Sequence, residues 1–116
     1  MKNAEVEKAK AHIIIDLIEY VANSTVTRTI VRRLTGNINA IAMDSGESLS
    51  EKISPFDMYI QVIEGEAEIV IDNSSNKLVT GQGIMIPAHA VNVIRTNDPV
   101  KILRTIIKSG YEGIMI

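Results

Sequence analysis

The sequence predicts an all-β domain, built as an antiparallel barrel or sandwich of about eight or more short strands. From Thr25 onward, apolar and polar residues alternate with a period of two, and turn sequences recur at short intervals. The core must be aliphatic, because the chain has no Trp, three Tyr and one Phe, while β-branched Ile and Val are abundant. Strands do not alternate with helices, which argues against a parallel α/β sheet.

The predicted strands are short runs separated by residues that favour turns. Gly and Asn tolerate positive φ, so sequences that contain them close tight connections. The strands are predicted over 26–34, 38–43, 58–63, 67–72, 77–80, 84–86, 91–96 and 100–108, with turns at 35–37, 44–47, 64–66 and 72–76.

Residues 1–24 are predicted to form a helical segment before the barrel. Asn3 is a suitable N-cap, and good helix formers follow it. Six residues recur at spacings of three, four and seven and form one apolar stripe: Val6, Ile13, Ile14, Leu17, Ile18 and Val21. We expect this stripe to cover an open side or end of the barrel. The length of 116 residues supports a single domain over 1–116, with the barrel at 25–110.

Composition argues against several classes of partner. The net charge is −2 and no basic stripe is present, so we expect no nucleic-acid binding. No apolar run approaches the length that spans a bilayer, so we expect no membrane insertion. The chain has no cysteine, which excludes disulfides and thiolate metal sites and fits a cytoplasmic protein.

The stretch from Gly46 to Thr96 resembles the two conserved motifs of the cupin superfamily. The first motif, G-x5-H-x-H-x3-E-x6-G, is matched in spacing by Gly46 and Gly65. The second, G-x5-P-x-G-x2-H-x3-N, is matched by Gly81 and Pro87. The short segment between the motifs is typical of compact bacterial single-domain cupins. The resemblance implies a jelly-roll-like antiparallel barrel.

The metal-ligand positions of these motifs are all substituted. In metal-binding cupins two His, a Glu and a further His converge on one metal inside the barrel. Those positions hold Lys52, Ser54, Met58 and Asn92 here, and none of them is a His or a carboxylate. Met is a soft ligand, and a Lys cation repels a metal ion. We therefore expect no metal and no other cofactor.

A small pocket is predicted where the metal would lie. Residues two apart on a strand share a face, so Ile60 follows Met58 into the barrel and Ile94 follows Asn92. Lys52, Ser54 and Asn92 would place polar groups at one end of an aliphatic lumen, as in a small-molecule site. His89, in the loop after Pro87, would lie at the rim, although an exposed loop histidine is the simpler interpretation. The same substitutions could instead fill the lumen.

Three functions stay open at this stage. The first is a metal-free module that binds a metabolite or sugar-like molecule. The second is a metal-independent enzyme of the sugar epimerase or isomerase kind, which would need His89 as base and a Tyr as acid; Tyr59 should point away from a lumen that holds Met58. The third is a structural or interaction protein with a filled barrel. We expect a homodimer, paired through an edge strand and an outer sheet face, with a surface supplied by Tyr59, Gln61, Ile63 and the C-terminal strand. Of these functions, the enzymatic one has the weaker support in the sequence.

Overall fold

Nine antiparallel strands form two sheets in the computed structural model, which describes residues 5–50 and 53–108. The five-stranded sheet has the order β1-β2-β9-β4-β7, and the four-stranded sheet has the order β3-β8-β5-β6. The strands are β1 Thr25–Arg33, β2 Gly36–Met43, β3 Ser48–Leu49, β4 Met58–Glu64, β5 Glu66–Ile71, β6 Ser74–Val79, β7 Gly83–Ile86, β8 Asn92–Arg95 and β9 Val100–Ile107.

Two faces of the five-stranded sheet bury different clusters. Side chains on its inner face meet the four-stranded sheet and form the main core, which includes Ile41, Ile60, Ile69, Val62 and Ile102, each at most 1% exposed. On its outer face, Leu17, Ile18, Ala40, Ala42 and Leu103 form a second, smaller cluster. The all-β antiparallel architecture is therefore the predicted one, with β3 as a short strand that the sequence pattern does not indicate.

The connection between β5 and β6 is a two-residue turn at Asp72 and Asn73. Both residues have positive φ, 47° and 71°, which is the backbone of the turn type that matches strand twist. Asn and Asp accept this conformation more easily than most residues. The turn is shorter than predicted, since β6 already begins at Ser74.

Gly65 marks the corner at which the chain leaves one sheet for the other. Its φ is +100°, and a Cβ there would lie 2.7 Å from the carbonyl oxygen of Pro99. Only glycine combines that backbone conformation with that approach. This is the physical reason for a glycine at the end of the first motif.

The predicted N-terminal helix is wrong in extent. Within the described part of residues 1–24, the only helical turn is a 3-10 turn at Ile14–Leu17, and Ile13 gives it no side-chain cap. Asn3 lies outside the described residues. A run of three β-branched residues disfavours a helix, and a short helix depends on packing for its stability.

The same segment covers the outer face of the five-stranded sheet with only part of its predicted apolar stripe, because Ile13, Ile14 and Val21 are exposed. Leu17 and Ile18 are buried against the outer face of the five-stranded sheet, with Val6 packed beside them. Val6 N donates to the Ile30 carbonyl at 3.0 Å, which extends the backbone pairing beyond β1. Within residues 5–50 and 53–108, no helix is long and apolar enough to cross a membrane.

Candidate functional site

Strand alternation brings four of the predicted pocket residues to the barrel interior. Met58 and Ile60 lie on the inner face of β4 and are 5% and 0% exposed. Asn92 and Ile94 lie on the inner face of β8 and are 9% and 3% exposed. Neighbouring strands complete the walls, because Met58 pairs with Ile86 and with Ile106. Whether these residues line a ligand site stays a prediction.

Asn92 is the polar group of this set. Its backbone pairs with Ile71 at the start of β8, and its neighbours two residues along the inner face are apolar. No other described residue hydrogen-bonds its carboxamide, and the residue as a whole is 9% exposed. The Asn92 amide is not among the fully buried polar atoms that lack a partner, so its atoms keep some accessible surface, and water or a small polar molecule can reach them.

Ser54 and His89 meet through their backbones at the rim. His89 N donates to the Ser54 carbonyl at 2.7 Å. The Ser54 hydroxyl is engaged locally, since it donates to the Phe56 carbonyl at 3.1 Å and accepts from Phe56 N at 3.0 Å. Asp57 Oδ1 accepts from Ala88 N at 2.8 Å and holds the same two loops together.

The His89 side chain is exposed, and its backbone has a φ of 69°, in the left-handed region. Its position is that of an exposed loop histidine, the simpler of the two interpretations. Lys52, the remaining predicted pocket residue, lies outside the described residues.

Two polar residues of the interior were missed by the sequence prediction. Arg104 on β9 pairs with Ile60 on one side and with Asn39 on the other, and it is 9% exposed. Ile102 and Ile106, two residues away in each direction, pack in the main core. Arg104 therefore shares their inward face. The alternation of apolar residues over 100–108 could have indicated this inward position, because Val100, Ile102 and Ile106 share a face with Arg104.

Asn39 lies beside Arg104 and is 8% exposed. Its amide Nδ2 donates to Asn37 Oδ1 at 2.7 Å, and both residues lie on the inner side of β2. The inner face thus has a polar part on β2 and β9 and an apolar part on β4 and β7.

The outer faces carry separate polar groups. On the five-stranded sheet, Lys101 Nζ donates to the Ile15 carbonyl at 2.6 Å and lies 5.0 Å from the centre of the Tyr20 ring. The Tyr20 hydroxyl donates to Glu64 Oε1 at 2.7 Å. Partial burial, and then this hydrogen bond to a carboxylate, raise the pKa of Tyr20 above its usual value.

On the four-stranded sheet, a groove of about 670 Å³ passes along Glu68 and Arg95. Arg95 Nε donates to Glu68 Oε1 at 2.7 Å, and Ser75 Oγ donates to Glu68 Oε2. The hydrogen bonds from Arg95 and then Ser75 lower the pKa of Glu68 to about 2. Both side chains of the ion pair are partly open to solvent. The lining of the groove includes Ala67 and Leu78 of the main core but none of the predicted pocket residues.

The residues at the motif positions do not fit a transition metal. Met58 offers a thioether and Asn92 a neutral amide, while the Ser54 hydroxyl is engaged with Phe56. Divalent ions of this kind need imidazole or carboxylate ligands. Within the described ranges, no three His, Cys, Asp or Glu side chains are grouped so that they could hold a metal.

Solved structures with the same fold are numerous. A conserved protein of unknown function from Streptococcus pyogenes matches with a TM-score of 0.84 and 24% identity, over 93% of this chain and 95% of that chain. A cupin superfamily protein from Desulfitobacterium hafniense matches with a TM-score of 0.83 and 23% identity, over 92% of this chain and 98% of that one.

A third match is the cupin-2 domain of an XRE family transcriptional regulator from Enterobacter cloacae. Its TM-score is 0.66 at 20% identity, over 72% of this chain and 95% of that chain. No family model and no curated protein matches the sequence. At these identities the likeness is one of fold, and it confirms the resemblance read from the motifs. The chain is a small single-domain protein with the cupin fold.

Proposed function

We propose that this protein is a metal-free binding module that takes a small metabolite into the interior of its barrel. The observation that carries the proposal is Asn92, a polar residue among apolar neighbours on the inner face of β8, whose amide no other described residue hydrogen-bonds and whose amide atoms are not fully enclosed. A ligand with one polar group could satisfy this amide while its apolar part packs against Met58 and Ile86. One fold neighbour is a domain of a transcriptional regulator, and a sensing role here would be of that kind.

The proposal excludes a metal on the chemistry of the donors. The four motif positions supply an amine, a hydroxyl, a thioether and an amide instead of imidazoles and a carboxylate. Elemental analysis of the purified protein, after incubation with Mn²⁺, Fe²⁺, Ni²⁺ or Zn²⁺ and desalting, tests this part. Retention of one metal ion per chain would contradict it. The compartment we propose is the cytoplasm, which cell fractionation tests.

Thermal-shift screening against a panel of metabolites and sugars tests the binding role. A ligand that binds only the folded state stabilises it, by about 2.7 kcal/mol at one hundred times its Kd. We expect at least one compound to raise Tm. We expect Asn92→Ala to lower the affinity of the protein for that compound and so to reduce the rise in Tm. The matched control is Asn97→Ala, the same change at an exposed loop position. Loss of binding in both variants, or in neither, would remove Asn92 from the site.

An epimerase-like enzyme has less support than a binding module. That chemistry needs a base and an acid that both face the interior, and His89 is exposed. Tyr59 lies on the outer face of β4, paired with Met85, as the alternation predicts. Tyr20 lies on the opposite side of the sheet from the interior and bonds Glu64. Tyr111 lies outside the described residues.

An interaction role is the second candidate, and one surface favours it. On the outer face, Tyr59 and Met85 pair side by side and are 36% and 50% exposed. Gln61 is exposed two residues further along β4, whereas Ile63 packs in the outer cluster. The proposed homodimer would use this face and the edge of β7, which also hides unpaired backbone groups. Light scattering of the purified protein distinguishes a dimer from a monomer.

A further inference from the structure

A cleft lies between the N-terminal segment and the outer face of β1. Its volume is about 280 Å³, and its wall includes Val6, Ile13, Asp16, Leu17 and Arg28, with the rest supplied by residues 7 and 10–12. Arg28 lies on the outer face because it pairs with Ala40, a member of the outer cluster. The described residues of the predicted pocket do not line this cleft, so it is separate from the interior of the barrel.

Arg28 brings a positive charge to the cleft. Its Nη1 donates to the Leu17 carbonyl at 2.9 Å, which holds the half-buried guanidinium against the 3-10 turn. Within residues 5–50 and 53–108, no acidic side chain forms an ion pair with Arg28, and its other N–H groups have no hydrogen-bond partner. A guanidinium has five donors in one plane, and two of them match a carboxylate. Arg28 can therefore bind a carboxylate without first breaking an ion pair.

Asp16 brings a negative charge to the same cleft. It lies in the 3-10 turn, next to Leu17, whose carbonyl holds Arg28. The Asp16 side chain is exposed, and its carboxylate has no ion-pair or hydrogen-bond partner among the residues that the structure describes. Glu7 and Lys10, which also line the cleft, form an ion pair with each other at 3.8 Å. Asp16 and Arg28 therefore present opposite charges to one space without pairing directly.

The third feature of the cleft is apolar surface. Ile13 is 65% exposed, and Val6 packs against the outer cluster beside it in the lining. An aliphatic group placed on these side chains would remove apolar surface from water, which is favourable by about 25 cal/mol per Å². The cleft thus offers a cation, an anion and an aliphatic wall together.

We propose that this cleft binds a small α-amino acid with an aliphatic side chain. Its carboxylate would bind Arg28, its ammonium group would bind Asp16, and its side chain would pack on Ile13. A simple anion fits less well, because the carboxylates of Asp16 and Glu7 repel it. The volume lies at the lower end of the range for small-molecule sites, as suits a ligand of this size. The inference is independent of the proposed function, which concerns the interior.

Matched analogues of one amino acid test the inference on the unmodified protein. The probes are L-leucine, L-leucinamide, which lacks the carboxylate, and 4-methylpentanoate, which lacks the ammonium group, each measured by ligand-observed NMR and calorimetry. We expect leucine to bind at least about tenfold more tightly than either analogue, because each analogue loses one set of charge-assisted hydrogen bonds. L-Glutamate, whose side chain adds a negative charge, should bind more weakly than leucine.

Two variants locate the contacts. Arg28→Gln should lower the affinity for leucine at least about tenfold and leave the affinity for leucinamide unchanged, because leucinamide has no carboxylate to lose. Asp16→Asn should lower the affinity for leucine and should not weaken 4-methylpentanoate, which has no ammonium group. The matched controls are Arg95→Gln and Asp98→Asn, which line the groove of the other sheet and should change nothing. Circular dichroism and Tm establish that each variant is folded, and the comparison of analogues on the native protein does not depend on any of them.

Several results would overturn the inference. These are no detectable binding of leucine, equal affinity for leucine and either analogue, tighter binding of glutamate than of leucine, or leucine binding that survives unchanged in Arg28→Gln or in Asp16→Asn. Leucine binding that is lost in Asn92→Ala and kept in Arg28→Gln would place the ligand in the interior. That result would remove this inference and leave the proposed function standing.

Discussion

Lys101 and Arg104 lie three residues apart on β9, on opposite faces of one sheet, and both are buried, at 8% and 9% exposure. On the outer face, Lys101 is held by the Ile15 carbonyl, the Tyr20 ring and Glu64, whose Oε1 is 3.9 Å from its Nζ. Arg104, on the inner face, lies beside Asn39 and an aliphatic wall. The comparison teaches that one strand can bury a cation on each of its faces: Lys101 contacts the N-terminal segment, whereas Arg104 faces the interior between the two sheets.

The largest expected effect is a difference in the free energy of unfolding between substitutions on the inner and outer faces of β4. Ile60→Ala should lower the free energy of unfolding by about 3 kcal/mol, because it removes buried methyl groups from a fully enclosed position. Gln61→Ala, one residue along and exposed, should change it by less than about 0.5 kcal/mol. Urea denaturation measures both. Similar losses at the two positions would mean that the inner face is not the tightly packed one.

The next largest effect on stability is expected from Lys101, the buried cation on the outer face of the five-stranded sheet. Lys101→Met should lower the free energy of unfolding by about 2 kcal/mol, because the Ile15 carbonyl and Glu64 lose a charged partner. Ligand binding in the interior should be unchanged. Urea denaturation measures the stability, and thermal shift with any compound found in the metabolite panel measures the binding. If Lys101→Met changes the binding of that compound, the outer and inner faces of the sheet are not independent.

The smallest effect extends the comparison to the outer face of the four-stranded sheet. The pKa of Glu68 is lowered from its usual value of 4.5 to about 2 in the folded protein, chiefly because Arg95 and then Ser75 donate hydrogen bonds to it. A lowered folded-state pKa stabilises the protein above the unfolded-state value, and that contribution is lost as pH falls from about 4.5 to about 2.

Thermal unfolding of the native protein and of Glu68→Gln, measured from pH 6 to pH 2, tests this. The native protein should lose more stability than the variant in that acidic range. The difference should be small and should shrink in high salt, because Glu68 and Arg95 are partly exposed. Parallel pH profiles for the two proteins would show that the pair contributes nothing.

Much of the barrel could be predicted because its strands bury one face and expose the other. Period-two alternation sets which residues face inward, so Met58, Ile60, Asn92 and Ile94 were assigned to the interior from sequence. The motif glycine at 65 is required by a corner that leaves no room for a Cβ. These features depend on local geometry, which the sequence specifies directly.

The rest depends on contacts distant in sequence. The helix predicted before residue 25 is reduced to Ile14–Leu17, because packing on the sheet decided the conformation of a β-branched run. Arg104 was missed because a charged residue in a strand is ordinarily placed on the solvent side. Its inward position follows only once Ile102 and Ile106 are assigned to the core.

The two edges of the five-stranded sheet differ in how far their backbone groups are hydrogen-bonded by other segments. Beside β1, Val6 N bonds the Ile30 carbonyl, and the Glu5 carboxylate accepts from Arg32 N at 2.7 Å. At the opposite edge, β7 pairs with β4 on one side, and no other strand of the described residues pairs with its outer side. If the proposed homodimer forms through β7, the protected edge at β1 would stop further strand addition, so the sheet would end as a closed pair and would not grow into a filament.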